Sequence, residues 1–243
     1  GAHPTAVMPD SKPPNTEPNT AAWLGRLPNL ELLIALVVLL IIQSCLSSEN
    51  SLQRAIVNTM FFITELSAIR TLTHSRIRLW SAVSLGAIAY LLSWVEEFAH
   101  SRALVGVIDV CFIAMFTVLI IAVSDDVFGN GPIDTNRIIG AVTIYVLIGV
   151  AWAFGYALVE TITPGSFEFQ GLADVDLLHP GFLGEFLYFS NVTLTTLGYG
   201  DALPISRPAR ILASLEAMVG QLYVAIIIAR LVGLHVSQAR NSE

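Results

Sequence analysis

Apolar residues along this chain gather into long runs with almost no alternation, and that pattern predicts helices long enough to cross a lipid bilayer. Such runs fall at roughly 30–46, 53–70, 79–95, 103–123, 138–160 and 209–234, each near the twenty residues that cover a hydrocarbon core about 30 Å thick. Six spans follow. The second is the most polar, because "RAIVNTMFFITELSAIR" carries Asn58, Thr59, Thr64 and Glu65; it must turn those groups towards other helices. A seventh apolar segment, "GFLGEFLYFSNVTLTT" at 181–196, has helical character but is too short to span. It runs directly into the polar, glycine-rich stretch "TTLGYGD" at 195–201, and so reads as a re-entrant helix and loop.

Composition agrees with that reading: 54% of the residues are hydrophobic, only 13% are charged, and mean hydropathy is +0.69, which excludes an ordinary soluble domain. The first 22 residues, rich in Pro, Asn and Thr, read as a polar tail and not as a signal peptide. Cys45 and Cys111 sit inside apolar runs and read as buried small hydrophobes.

Cation placement predicts the orientation. With both tails cytoplasmic, Lys12, Arg26, Arg70, Arg76, Arg78, Arg137, Arg230 and Arg240 lie inside, against Arg54, Arg102, Arg207 and Arg210 outside. The positive-inside rule favours this arrangement. It places outside the segment carrying Glu160, Glu168, Asp174, Asp176 and Glu185, with no Lys or Arg between Arg137 and Arg207. An acidic approach of that kind would gather cations.

Irregular backbone at membrane depth survives only where it lines water or is buried in protein, since lipid offers no hydrogen-bond partners. A Gly-x-Gly segment can adopt the unusual dihedrals that aim successive carbonyl oxygens at one axis. On "TTLGYGD", with an apolar span on each side, the last hundred or so residues resemble the potassium-channel superfamily, and a prokaryotic source is expected. The resemblance implies that Thr196, Leu197, Gly198, Tyr199 and Gly200 form the selectivity filter, with potassium ions held at Thr196, Leu197, Gly198 and Tyr199. Thr195 and Asp201 match the flanking residues, and Pro204 matches the proline that commonly follows. Tyr188 and Phe189 stand where paired tryptophans are frequent, and Val192 stands where some members carry a glutamate, so that carboxylate link is expected to be absent. One filter per chain implies four chains, hence a homotetramer with three identical partner subunits.

The inner span adds Gly220, twenty residues after Gly200, at the spacing of the superfamily's hinge glycine. A hinge and a close helix crossing both fit it. Gln221, Val224, Ile228 and Val232 recur on one face and are candidates for the cavity wall and gate. Six spans with the pore last resembles the voltage-gated plan, yet residues 103–123 hold no Lys or Arg and one charge, Asp109. A steep voltage sensor is therefore not expected.

Glu65 and Asp109 are candidate buried acids. They pair with Arg54, Arg70 or Arg102, titrate as a proton sensor, or serve as neutral structural carboxyls. Glu216 lies behind the filter, where a brace on the pore helix or a plain structural contact is expected. Asp125, Asp126 and Asp134 read as a solvated turn in preference to a divalent-cation site.

The expected architecture is an all-α integral membrane protein of six transmembrane helices plus a re-entrant pore helix. Its divisions are a polar tail at 1–28, a four-helix domain at 29–124, a pore domain at 138–235 and a short tail at 236–243. Within the pore domain lie the pore helix at 181–196, the filter at 196–200 and the inner helix at 209–234. The expected function is passive, potassium-selective conduction across the cell membrane with both termini cytoplasmic, without enzymatic activity. Potassium ions, membrane lipids and the other subunits are the partners; no organic cofactor, nucleic acid or cytoplasmic ligand-binding domain is expected. A weakly selective cation channel and a potassium transporter subunit are the alternatives.

Overall fold

The computed structural model describes residues 27–45, 51–71, 76–99, 101–129, 134–171 and 182–241. They form α1 (Pro28–Cys45), α2 (Ser51–Thr71), α3 (Arg76–Ala99), α4 (Arg102–Phe128) and α5 (Thr135–Ile162), then β1 (Phe167–Phe169), α6 (Leu183–Leu194), β2 (Ala202–Pro204) and α7 (Arg207–Asn241). The protein is mostly helical. Among the described residues, four helices are long and apolar enough to cross a membrane: α3 over Arg76–Glu96, α4, α5, and α7 over Arg207–Arg230. The apolar part of α1, Pro28–Gln43, is shorter than these, and α2 is kept from the group by Gln53, Arg54, Asn58, Glu65 and Arg70.

α5 is the centre of the packing. α1 and α4 lie along it, α2 packs on α1, α3 packs on α4, and α6 fits between α5 and α7. Both α4 and α5 are apolar on all sides, which suits helices enclosed by neighbours or lipid. A stack of rings locks α2 and α4 to α5: Phe61 lies 5.1 Å from Phe112, and Phe112 lies 4.7 Å from Phe154. α1, α2 and α4 thus touch the helix that follows them directly, and α3 joins it through α4.

Polar groups tie the same helices at one end. Buried Asn29 donates from Nδ2 to Asp126 Oδ2 (3.1 Å) and to the Asn136 carbonyl (3.1 Å), joining the start of α1 to the end of α4 and the start of α5. Gly140 permits this, since a Cβ there would lie 2.7 Å from both Asn29 Nδ2 and Val127 Cγ2. Arg78 pairs with Asp125, Arg137 Nη1 donates to the Gly129 carbonyl (3.0 Å), and Asp134 caps α5 by accepting from the Arg137 amide (2.9 Å). Arg230 reaches the same carbonyl (3.4 Å) and lies 4.7 Å over the Phe128 ring. Asp125, Asp126 and Asp134 are therefore engaged as structural acceptors, and no cluster suited to a metal ion occurs among the described residues. Arg102, Arg207 and Arg210 lie at the opposite end, where α4 and α7 begin.

The pairing of β1 with β2 is a feature that apolar periodicity did not predict. Three residues on each side run antiparallel, with Glu168 opposite Leu203. The connection is anchored by Glu160, whose buried carboxylate accepts from the amides of Gly165 (2.7 Å), Ser166 (2.9 Å) and Phe167 (3.2 Å). That corrects one expectation: Glu160 is 3% exposed and committed to the turn, so it is not part of an open acidic approach. Glu168 is exposed and Glu185 half-buried, while Asp174 and Asp176 lie outside the described residues.

Candidate functional site

α6 is twelve residues long, about 18 Å at helical rise, and does not span a bilayer. Its C-terminus determines the conformation of the loop that follows. The Leu197 amide donates to the Val192 carbonyl (2.9 Å), and the Thr196 amide donates to the Thr193 carbonyl (2.9 Å). These are the paired bonds of a Schellman closure, in which one residue just past the helix adopts a left-handed conformation, usually as glycine. Here that residue is Thr196, with φ of 58°. A β-branched residue in this region is strained, by about 1–2 kcal/mol. What threonine supplies in return is a hydroxyl, and Thr196 Oγ1 accepts from Gln221 Nε2 on α7 (3.3 Å).

Gly198 and Gly200 repeat the positive φ, at 60° and 79°. Left-handed backbone thus recurs at every second residue from Thr196 to Gly200. An ordinary strand points its carbonyls alternately to opposite sides; inverting every second residue is the backbone condition for bringing them to one side. Leu197 and Tyr199 are exposed, at 56% and 66%.

Behind the loop, α6 is held by rings and by buried polar groups. Phe189 is buried with its ring 4.9 Å from Tyr156 and 5.4 Å from Phe167, and Phe186 lies 5.3 Å from Phe167. Tyr188, one position earlier, is half-buried, and its hydroxyl donates to Asp201 Oδ2 (2.6 Å), linking the helix to the residue after Gly200. Thr195 closes the helix end, its hydroxyl donating to the Asn191 carbonyl (2.7 Å). Val192 is buried, with no carboxylate at its position.

Glu216 is fully buried where α5, α6 and α7 meet. It accepts from the Tyr156 hydroxyl on α5 and is bonded to Ser190 Oγ on α6 (2.5 Å), and Ser190 Oγ also lies 2.7 Å from the Gly149 carbonyl. Three helices therefore share one polar junction. Tyr156 and Ser190 were not singled out from the sequence; a polar residue inside an apolar run was the available signal. Tyr145 was missed in the same way, and its hydroxyl donates to the Leu194 carbonyl (3.1 Å), one of the acceptors left open at the end of α6.

Gly220 lies one turn beyond Glu216 on the same side of α7. A Cβ at Gly220 would stand 2.2 Å from the Leu194 carbonyl oxygen, so α7 crosses the end of α6 in backbone contact, and α7 is helical straight through this point. Close approach is thus one reason for glycine here. Gln221, Val224 and Ile228 are exposed on α7, while the side chain of Val232 lies outside the described ones.

Glu65 and Asp109 are buried, at 8% and 5% exposure. Glu65 presses its carboxyl against Gly86 of α3, where a Cβ would come within 2.4 Å of it, and Asp109 Oδ2 is buried without a hydrogen-bond partner. Among the described residues neither acid pairs with Arg102; the side chains of Arg54 and Arg70 lie outside them. Cys111 is a free, half-buried thiol. Glu185, in the first turn of α6, has its carboxyl pushed above the ordinary value by burial and, next, by the nearby charge of Asp201.

A family model described as "Ion channel" matches residues 176–235, which take in α6, the loop, β2 and most of α7. No curated protein and no solved structure matches the chain. The match supports ion conduction as the function, and with the four long apolar helices it marks a membrane protein.

Proposed function

We propose that the chain is one subunit of a homotetrameric potassium-selective channel, in which Thr196, Leu197, Gly198, Tyr199 and Gly200 of four copies ring the conduction path. The observation that carries this reading is the alternation of left-handed backbone at Thr196, Gly198 and Gly200 directly after a helix too short to span. Carbonyls turned to one side, with the Thr196 hydroxyl below them, replace the hydration shell of a permeating potassium ion. A single chain surrounds no axis, so closure requires further copies. The outward faces of Ile211, Leu215, Met218, Leu222 and Ile226 on α7 offer apolar surface for those copies and for lipid to cover.

In this reading α1 and α2 complete six spans, and 138–235 forms the pore domain. The end carrying Arg78, Arg137 and Arg230 faces the cytoplasm, as the positive-inside rule favours. Tyr188 and Phe189 brace the filter, Gly220 sets the crossing of α7 on α6, and Gln221, Val224, Ile228 and Val232 line the cavity below. Conduction is passive and follows the ion gradient.

The test is the reversal potential of purified protein in planar bilayers with asymmetric potassium and sodium. A potassium-selective filter moves it towards the potassium equilibrium potential, and Gly198→Ala, which places a side chain at φ of 60°, abolishes or degrades that preference. A reversal potential indifferent to the two cations would make this a weakly selective pore instead.

A further inference from the structure

A groove of about 440 Å³ runs between the start of α4 and the end of α5, lined by Ala103, Gly106, Val107, Val110, Cys111 and Ile162, with Thr161 at one side and Arg102 at the rim. Its size falls within the range of small-molecule sites. Nearly all of its surface is apolar, Arg102 is the one charged residue that lines it, and no carboxylate does. Gly106 is part of the groove's wall, on the side where α4 faces α5. A Cβ there would rest 3.6 Å from Leu158 Cδ1 and Thr161 Cγ2, in ordinary contact, so alanine fits while a longer side chain has to compete for room between α4 and α5 beside the groove. Val107, Val110 and Ile162 are 50%, 51% and 71% exposed.

Depth in the membrane selects the occupant. α4 has 27 residues, about 40 Å at helical rise, against a hydrocarbon core of about 30 Å. Arg102, at its first position, therefore stands at headgroup level while Val110 and Cys111 lie at acyl-chain level. A ligand matching both has a hydrocarbon tail and an anionic head, and the guanidinium fork suits a phosphate. We propose that this groove binds an anionic phospholipid of the leaflet at the β1–β2 end, one acyl chain lying along Gly106 and Val110 and the phosphate on Arg102. The inference rests on membrane insertion alone and is independent of what the pore conducts.

The test is native mass spectrometry of the full chain titrated with phosphatidylglycerol or with phosphatidylcholine of equal chain length. Wild type is expected to retain at least one phosphatidylglycerol per chain in preference to phosphatidylcholine. Arg102→Gln should lower that preference by roughly threefold or more, as expected for loss of a charge-assisted bond. Gly106→Leu should remove retention of both lipids, whereas Gly106→Ala should keep it. If Gly106→Leu fails to fold, Val110→Asn, at an exposed position, gives the same reading. An unchanged lipid preference in Arg102→Gln, wild-type retention in the folded groove variant, or displacement of the lipid by inorganic phosphate alone would each overturn the proposal.

Discussion

The Tyr188 hydroxyl and the Asp201 carboxylate meet at 2.6 Å, a bond that fastens the middle of α6 to the residue immediately after Gly200. The other oxygen, Asp201 Oδ1, is buried without a partner, so Tyr188→Phe leaves the carboxylate with no donor on either side. The expected outcome is a lower unfolding midpoint, and Asp201→Asn, which keeps an acceptor for Tyr188, should lose less. Thermal unfolding of the detergent-solubilised variants orders the two. Equal midpoints for Tyr188→Phe and wild type would show that the bond contributes nothing to stability.

The junction at Glu216 predicts a second ordering. Glu216→Ala strands the Tyr156 hydroxyl in a sealed space, where each abandoned polar group costs about 1–3 kcal/mol. Ser190 is less affected, because the Gly149 carbonyl remains within 2.7 Å of it. Glu216→Gln keeps one acceptor oxygen and should fall between wild type and alanine in denaturation midpoint; the opposite order would remove the buried network as the reason for the carboxylate.

At Gly220 two roles can be separated by assembly. The 2.2 Å approach of a Cβ to the Leu194 carbonyl means that Gly220→Ala must push α7 off the end of α6, with loss of folded, assembled protein in size-exclusion chromatography. A hinge alone predicts normal assembly and an altered open probability. Gly233→Ala is the control, since a Cβ there meets nothing within 4 Å.

Voltage dependence should be shallow. Moving one charge through the full field yields about 2.3 kcal/mol per 100 mV, and steep gating needs three or four such charges in each subunit. Between 103 and 123, α4 offers no Lys or Arg, and its buried Asp109 is packed within the protein. Current–voltage families from reconstituted channels measure this. An effective charge of several units would mean that another helix carries the sensor.

Glu185 gives a pH prediction. Its folded carboxyl titrates above the ordinary value of 4.5, so the folded state favours the protonated form. Stability from this group is present in full below pH 4.5 and is lost as pH rises through the raised folded value. Glu185→Gln should remove that decline and unfold at higher temperature than wild type near neutral pH. A stability difference that stays flat with pH would show that the helix dipole, which favours an acidic first turn, offsets burial.

The sequence by itself determined the helices, because membrane-length apolar runs leave the backbone no alternative to internal hydrogen bonding. α3, α4, α5 and α7 fall where hydropathy places them, and the short run before "TTLGYGD" becomes α6. The polar character of α2 was legible too, in the same residues that keep it apart from the four long apolar helices. Glycine at 198 and 200 announced unusual dihedrals, since only glycine adopts them without strain.

The tertiary structure decided what spacing along one helix cannot encode. That Thr196 is left-handed follows from the closure of α6 by Val192 and Thr193, a relation among backbone groups that no side-chain pattern states. That Glu216 meets Ser190 and Tyr156 depends on how three helices cross, and so does the need for glycine at 220. Glu160, read from its position as an outward charge, is turned inward, where its carboxylate accepts from three amides of the following turn, at Gly165, Ser166 and Phe167. A charge is placed by the donors that surround it, and those donors come together only when the chain folds.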